Sequence, residues 1–146
     1  SKWALGGRVF GLGPSFILYT GRYFEVSNRE FALVKEINPI AVYAGDTVVF
    51  PQIHFLQADH AGYDFDDQGW SNWRAYWEGP VSGTKSKIPL EVDDSGSAEG
   101  RFIVTADAAT TRAMRGNGTW DLQAERGDEV RTWLRGKTIY TKDVTP

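Results

Sequence analysis

The chain has 146 residues, of which 41% are hydrophobic and 24% charged, with a net charge of −3. That is one ordinary domain, long enough to bury a core, and its charge gives no support to a nucleic-acid partner. With no cysteine, disulfides, Cys-based zinc sites and thiol nucleophiles are excluded, and no apolar run approaches the ~18–20 residues of a membrane-spanning helix.

Residues 1–38 are punctuated by Gly6, Gly7, Gly11, Gly13, Pro14 and Gly21. The early glycines break up any signal-peptide core, and Ser1 reads as the residue left after Met removal. Between the breaks lie short aromatic pieces: Arg8-Val9-Phe10, Phe16 to Tyr19, and Arg22 to Val26. Thr20-Gly21 suits a tight turn between two short strands. Pieces this short rarely hold a core alone. The expectation is an extended arm or hairpin packed on the domain itself or on a neighbouring subunit.

Asn38-Pro39 marks the expected boundary with a second region, 39–146, because proline disfavours helix before it. Ile40 to Tyr43 reads as a strand, Ala44-Gly45-Asp46 as a turn, and Thr47 to Leu56 as a strand interrupted by Pro51. Gln57 to Gly69 reads as a polar, acidic loop. Trp70 to Glu78 is the next strand, with Trp73, Ala75 and Trp77 on one face at period two. Gly79 to Lys87 reads as a loop, Ile88 to Val92 as a short strand, and Asp93 to Gly96 as a turn.

Arg101 to Ala106 is another strand. Asp107 can cap one short helix, Ala108 to Met114. In Thr119 to Arg126, Trp120, Leu122 and Ala124 face one way and Asp121, Gln123 and Glu125 the other. Gly127-Asp128 turns the chain into Glu129 to Tyr140, where Val130, Thr132 and Leu134 are expected inward, Trp133 outward, and a bulge near Gly136. About seven strands with regular turn signals predict an all-β, antiparallel β-sandwich.

From residue 39 onward the order of motifs resembles an Ig-like β-sandwich module of bacteriophage virion proteins. The residues that carry it are Gly45-Asp46-Thr47, Gly69-Trp70 through Glu78, Asp93 through Val104, the Thr/Ala-rich Ala106 to Met114, Trp120-Asp121-Leu122-Gln123, Leu134-Arg135-Gly136, and Asp143-Val144-Thr145. The resemblance implies a structural role in the tail tip, baseplate or head surface. It implies no chemistry. The 38-residue arm is not part of the module.

The candidate chemistry is sparse. His54 and His60 are the only histidines, and nothing places either beside a nucleophile and an orienting carboxylate. Asp59, His60, Asp64, Asp66 and Asp67 are the best metal candidates, but their spacing is not that of an EF-hand and a solvated acidic loop accounts for them. Trp70 and Tyr76 are candidates for an exposed surface, either an interface or a sugar platform. Trp133, expected outward between Arg131 and Arg135, fits an interface hot spot flanked by guanidinium groups.

The reading that follows is a structural subunit of a phage particle, in the tail tip or baseplate, connecting tail proteins to fibres. A head decoration or head-tail protein is the alternative in the same class, and a carbohydrate-binding module for host surface glycan the alternative in another. A glycosidase built on the acidic loop is a third reading. No catalytic, cofactor-binding or metal-binding residue and no cofactor is expected. The expected partners are other virion proteins and further copies of the chain in a symmetric assembly, with no nucleic acid and no membrane. The expected location is the virion, assembled in the bacterial cytoplasm. The expected interface residues are Trp3, Phe10, Phe16, Tyr19, Tyr23 and Phe24 of the arm, with Trp70, Tyr76, Arg131, Trp133 and Arg135.

Overall fold

The computed structural model describes residues 15–20, 23–27, 35–50, 53–57 and 59–142, so Trp3, Phe10 and the terminal Asp143-Val144-Thr145 lie outside the described residues. The fold is all-β, with one α-helical turn and one short 3-10 turn among the described residues. The described strands are β1 (Ser15–Tyr19), β2 (Tyr23–Ser27), β3 (Lys35–Tyr43), β4 (Val48–Val49), β5 (Ile53–Leu56), β6 (Ser71–Val81), β7 (Thr84–Gly96), β8 (Arg101–Ala106), β9 (Gly118–Arg126) and β10 (Glu129–Thr141). Helix α1 (Ala108–Ala113) lies between β8 and β9.

The strands follow the order β2-β1-β5-β8-β7-β6-β9-β10-β3, with β4 also paired to β8. The long strand β7 joins two layers. Its first part, Thr84 to Leu90, pairs with β6, and its later part, Glu91 to Gly96, pairs with β8. The curled sheet thereby faces itself: Trp73 of β6 packs on Phe102 of β8 with ring centroids 4.1 Å apart, and Phe55 of β5 meets Trp133 of β10 at 6.0 Å.

Several local expectations are revised. The loop expected over Gly79 to Lys87 is a tight hairpin: Val81 pairs with Thr84, and Ser82 and Gly83 take φ of 51° and 84°. Two successive positive φ values are the signature of a type I′ turn, whose twist matches that of the flanking strands. Asp93 to Gly96 is no chain reversal. It is an irregularity within β7, where the Asp93 carboxylate accepts the Ser95 N–H at 3.0 Å. Asn38-Pro39 is not a break either, since β3 runs through it. The register against β10 passes from Gly136↔Ile37 to Thr138↔Ile40, so Pro39 occupies a bulge, where its missing N–H breaks no ladder bond. That β3–β10 pair is parallel, which makes the sheet mixed where a purely antiparallel one was expected. The arm supplies β1 and β2, which pair antiparallel with Tyr19 opposite Tyr23. Strand β1 then adds to β5, and Leu18 is fully buried in the common core.

The core is dominated by rings. Phe65 sits at its centre, edge-on to Phe55, Tyr63, Trp73, Phe102 and Trp133 at centroid distances of 4.6–5.7 Å. It belongs to the segment expected to be a polar loop. The loop is polar at Asp59, Asp64, Asp66 and Asp67, but it folds back to bury Tyr63 and Phe65.

Two motifs distant in sequence meet at one hydroxyl. The expected cap of α1 is present, with the Asp107 carboxylate accepting the Thr110 N–H at 2.8 Å. This orients the buried Thr111, whose Oγ1 accepts the Gly45 N–H at 3.1 Å and donates to the Asp46 carbonyl at 2.8 Å. The helical turn thus clasps the Gly45-Asp46-Thr47 turn. Thr111→Val keeps the shape and removes the hydroxyl, stranding two backbone groups. It is expected to cost about 1–3 kcal/mol in urea denaturation, whereas Thr111→Ser retains most of the stability. Equal stability of the Val variant and the parent would show that the clasp contributes nothing.

Candidate functional site

The residues expected to form an exposed Trp–Arg interface are brought together, but inside the fold. Trp70 is 4% exposed and Trp133 1%. The register of β10 against β9 slips between Thr132 and Leu134, so Trp133 is the extra residue of a bulge and turns inward beside Leu134. Strict alternation, which placed Trp133 outside and Val130 inside, fails at this point, and Val130 is exposed. The two indoles pack edge to face at 5.0 Å. Arg126 and Arg131 cover Trp70 at 4.5 and 5.6 Å, and Arg131 lies 5.1 Å from the Trp133 ring. Arg135, on the opposite side of β10, is exposed and lies away from that ring cluster. These arginines act as lids over the aromatic core. Neither Trp70 nor Trp133 offers a surface to a partner or a sugar. Of the arm residues, Tyr19 is half-buried, while Phe16, Tyr23 and Phe24 lie in β1 and β2 with side chains outside the described structure.

The acidic loop uses its carboxylates to brace itself. Asp59 accepts the Ala61 N–H, Asp64 accepts the Asp67 N–H, and Asp66 accepts the Ser97 hydroxyl at 2.6 Å. No group of three or more His, Asp or Glu side chains is placed to hold a metal among the described residues. His54 projects from β5 between buried Ile53 and Phe55, with its Nε2 3.2 Å from the Glu99 carbonyl. Burial, aided by the Arg101 charge, holds its pKa below the usual imidazole value.

Under the same lids, burial pushes the Tyr63 phenol up to about 12, against the opposing pull of Arg126 and Arg131. The unfolded phenol ionises near pH 10, so it loses its proton before the folded one does. Folding stability is therefore whole below pH 10 and falls as pH rises through 10 to 12, by about 1.4 kcal/mol per pH unit. Tyr63→Phe is expected to flatten this alkaline limb in thermal melts; a limb of unchanged slope would assign it to other groups.

Two depressions are lined by described residues. One is a groove of about 600 Å³ whose lining includes Pro39, Pro80, Asn117 and Ile139. The Trp77 indole lies against Gly79 and Gly118 of its lining: a Cβ on either would come within 2.5–2.6 Å of the ring. Beneath, the buried Thr138 hydroxyl accepts both the Trp77 indole N–H at 2.8 Å and the Gly118 N–H at 3.1 Å.

The other depression, about 220 Å³, lies on the outer face of strands β7, β6, β9 and β10 and brings the most chemistry together. Lys87, Tyr76, Glu78, Thr119, Asp121 and Arg135 line it. Each is a cross-strand neighbour of another: Glu78 faces Lys87 and Thr119, and Asp121 faces Tyr76 and Arg135. The Lys87 ammonium sits 4.7 Å from the Tyr76 ring centroid. Burial raises the Asp121 pKa, opposed by the Gln123 hydrogen bond, the nearby Tyr76 backbone N–H and the Lys87 and Arg135 charges. Its Oδ2 accepts from Gln123 at 3.3 Å, while Oδ1 is buried without a partner of hydrogen-bond geometry. Tyr76 and Arg135 were legible as surface residues of this face. The outward phase of Asp121 on β9 follows from alternation, but its place beside Lys87 does not. The missing piece is that Lys87 belongs to a strand rather than a loop.

No family model and no curated protein matches the chain. Among solved structures it is similar to a family 123 glycoside hydrolase from Clostridium perfringens, described in terms of glycolipid glycan hydrolysis. The identity is 11%, with 81% of this chain and 25% of that chain covered and a TM-score of 0.32. The chain spans a quarter of the length of that enzyme. A likeness this slight carries no argument about activity.

Proposed function

We propose that the chain is a structural subunit of a bacteriophage particle, in the tail tip or baseplate, that connects tail proteins to fibres by burying surface against them. The observation that carries this reading is the sheet edge at β3. Among the described residues, strand β3 ends the strand order and turns Pro39, Ala41 and Tyr43 to solvent between the inward Val42 and Ala44. Ile139 of β10 pairs with Ala41 and extends the same face, with Tyr43 52% and Ile139 51% exposed. An edge strand with an apolar flank is a place where a second chain can pair or pack, and soluble folds usually blunt such edges. The roles of the motifs also support it, since Gly45-Asp46-Thr47, Trp120 to Gln123 and Leu134 to Gly136 serve turns, core and ladder.

The test is incorporation into particles. Tyr43→Asp with Ile139→Asp is expected to leave the melting temperature within a few degrees of the parent and to reduce the chain in purified particles about tenfold or more, as loss of an apolar contact patch should. Absence of the parent chain from purified particles overturns the reading. Normal incorporation of the double variant removes the β3 edge as its anchor.

A further inference from the structure

Among the described residues, strand β3 pairs along one side only, with β10. The Ala44 N–H donates to the Thr141 carbonyl at 3.1 Å, and Tyr43 is the ladder partner of Thr141. Alternate residues of a strand bond to opposite sides, so Val42 and Ala44 face β10 while Ala41 and Tyr43 face the open edge. Pro39, in the same phase as Ala41, offers that edge a carbonyl and no N–H. The Tyr43 carbonyl is already taken, since it accepts the Asp46 N–H at 3.0 Å. The open edge therefore presents the N–H and carbonyl of Ala41, the N–H of Tyr43 and the carbonyl of Pro39. That set is complementary to itself. Turned antiparallel about Ala41, two copies exchange both bonds at Ala41, and each Tyr43 N–H meets the other copy's Pro39 carbonyl. The N–H that proline lacks falls opposite the carbonyl that Asp46 already occupies, so no backbone group is stranded.

We propose that the β3 edge pairs with the β3 edge of a second copy, antiparallel and centred on Ala41, to form a two-fold symmetric dimer. The proposal rests on the reading of β3 as a contact edge and names the partner there. Charge and shape agree with it. A two-fold pairing sets the strand against itself, so any charge on it would sit near its own copy. Pro39 to Tyr43 carry none, where open edges are usually blunted by charge. The small Ala41 side chains meet at the axis. On either side the exposed Tyr43 ring of one copy lies over the exposed Pro39 of the other, at the mouth of the groove lined by Pro39, Pro80 and Ile139. The paired strip is narrower than the ~20–30 residues a side of a standard stable interface. The dimer is accordingly weak and reversible in solution, and tightens where copies are held together in an assembly.

The experiment is sedimentation equilibrium of the purified chain up to about 1 mM, with single cysteines placed in the cysteine-free sequence as proximity reporters. A concentration-dependent dimer is expected. Ala41→Pro removes the N–H at the axis without touching the β10 ladder, and Tyr43→Asp sets a charge against the other copy's Pro39. Each should weaken dimerisation about tenfold or more. If Ala41→Pro does not fold, Tyr43→Asp carries the test. Ala41→Cys should be joined rapidly to its copy by a short bis-maleimide, because facing residues of a hydrogen-bonded pair lie about 5.5 Å apart at Cα. Asp128→Cys, in the turn between β9 and β10, should not. A chain that stays monomeric overturns the proposal and leaves the particle reading standing, which the presence of the chain in purified particles decides separately. A dimer indifferent to both substitutions, or one cross-linked as readily through Asp128→Cys, also overturns it.

Discussion

Phe65→Ala is expected to lose about 3–5 kcal/mol of folding stability, the upper range for deleting a buried ring. Phe65 is fully buried, and its edges and faces meet five other rings drawn from β5, β6, β8, β10 and its own loop. Removing it opens a cavity walled by rigid aromatics, which collapse poorly, and forfeits edge-to-face terms of about 0.5–1.5 kcal/mol each beyond area burial. Its backbone also holds the loop: the Phe65 N–H donates to the Ser97 carbonyl at 3.2 Å, and the Phe65 carbonyl accepts from Trp70 at 3.1 Å. The variant should therefore loosen the whole 59–70 segment and raise its amide exchange ahead of the rest. Phe65→Leu, which keeps most of the volume, is expected to cost roughly half as much. Urea denaturation followed by Trp fluorescence decides it, and a loss below about 1 kcal/mol for the alanine variant would refute the hub role.

Gly100→Ala is expected to be as damaging for a different reason. Gly100 holds φ at 78° and closes the short 3-10 turn Ser97–Glu99 ahead of β8. A Cβ there would collide with the Phe55 carbonyl oxygen and come within 3.1 Å of the Tyr63 carbonyl. Both obstacles are backbone, so neither can swing aside. The Gly100 carbonyl in turn accepts the Phe55 N–H at 2.8 Å, so any shift breaks the seam between β5 and β8. Left-handed strain of about 1–3 kcal/mol and a displaced backbone bond of about 1–3 kcal/mol add to roughly 2–6 kcal/mol. Gly83→Ala separates the two causes. Gly83 has φ of 84° with nothing within 4 Å of its absent Cβ, so that variant should pay only the conformational cost of about 1–2 kcal/mol. Equal losses at both positions would attribute the Gly100 effect to backbone conformation alone.

Where alternation was regular, local sequence was enough. Trp73, Ala75 and Trp77 on β6, and Trp120, Leu122 and Ala124 on β9, are buried as their period predicts. The Asp107 cap and the Gly127-Asp128 turn were legible because each depends on neighbours a few residues away. Readings failed wherever the answer lay in a distant partner. Trp133 turns inward because β10 gains a residue against β9, and a bulge is a property of the pair. Phe65 is a core residue because rings from β5, β6, β8 and β10 converge on a loop that looks solvated in one dimension. Tyr76 and Arg135 could be placed on a surface, but their company with Asp121 and Lys87 exists only across four strands.

By itself, the sequence determined an all-β chain, the faces of its regular strands, its one capped helical turn and the absence of cysteine chemistry. Those follow from period-two burial, turn chemistry and composition, each set within a few residues. The tertiary structure alone decided which rings form the core, where the bulges fall and which polar groups share a depression. Those depend on register between strands as far apart in sequence as β3 and β10, where Lys35 pairs with Leu134, and register is set by the packing of the whole sheet.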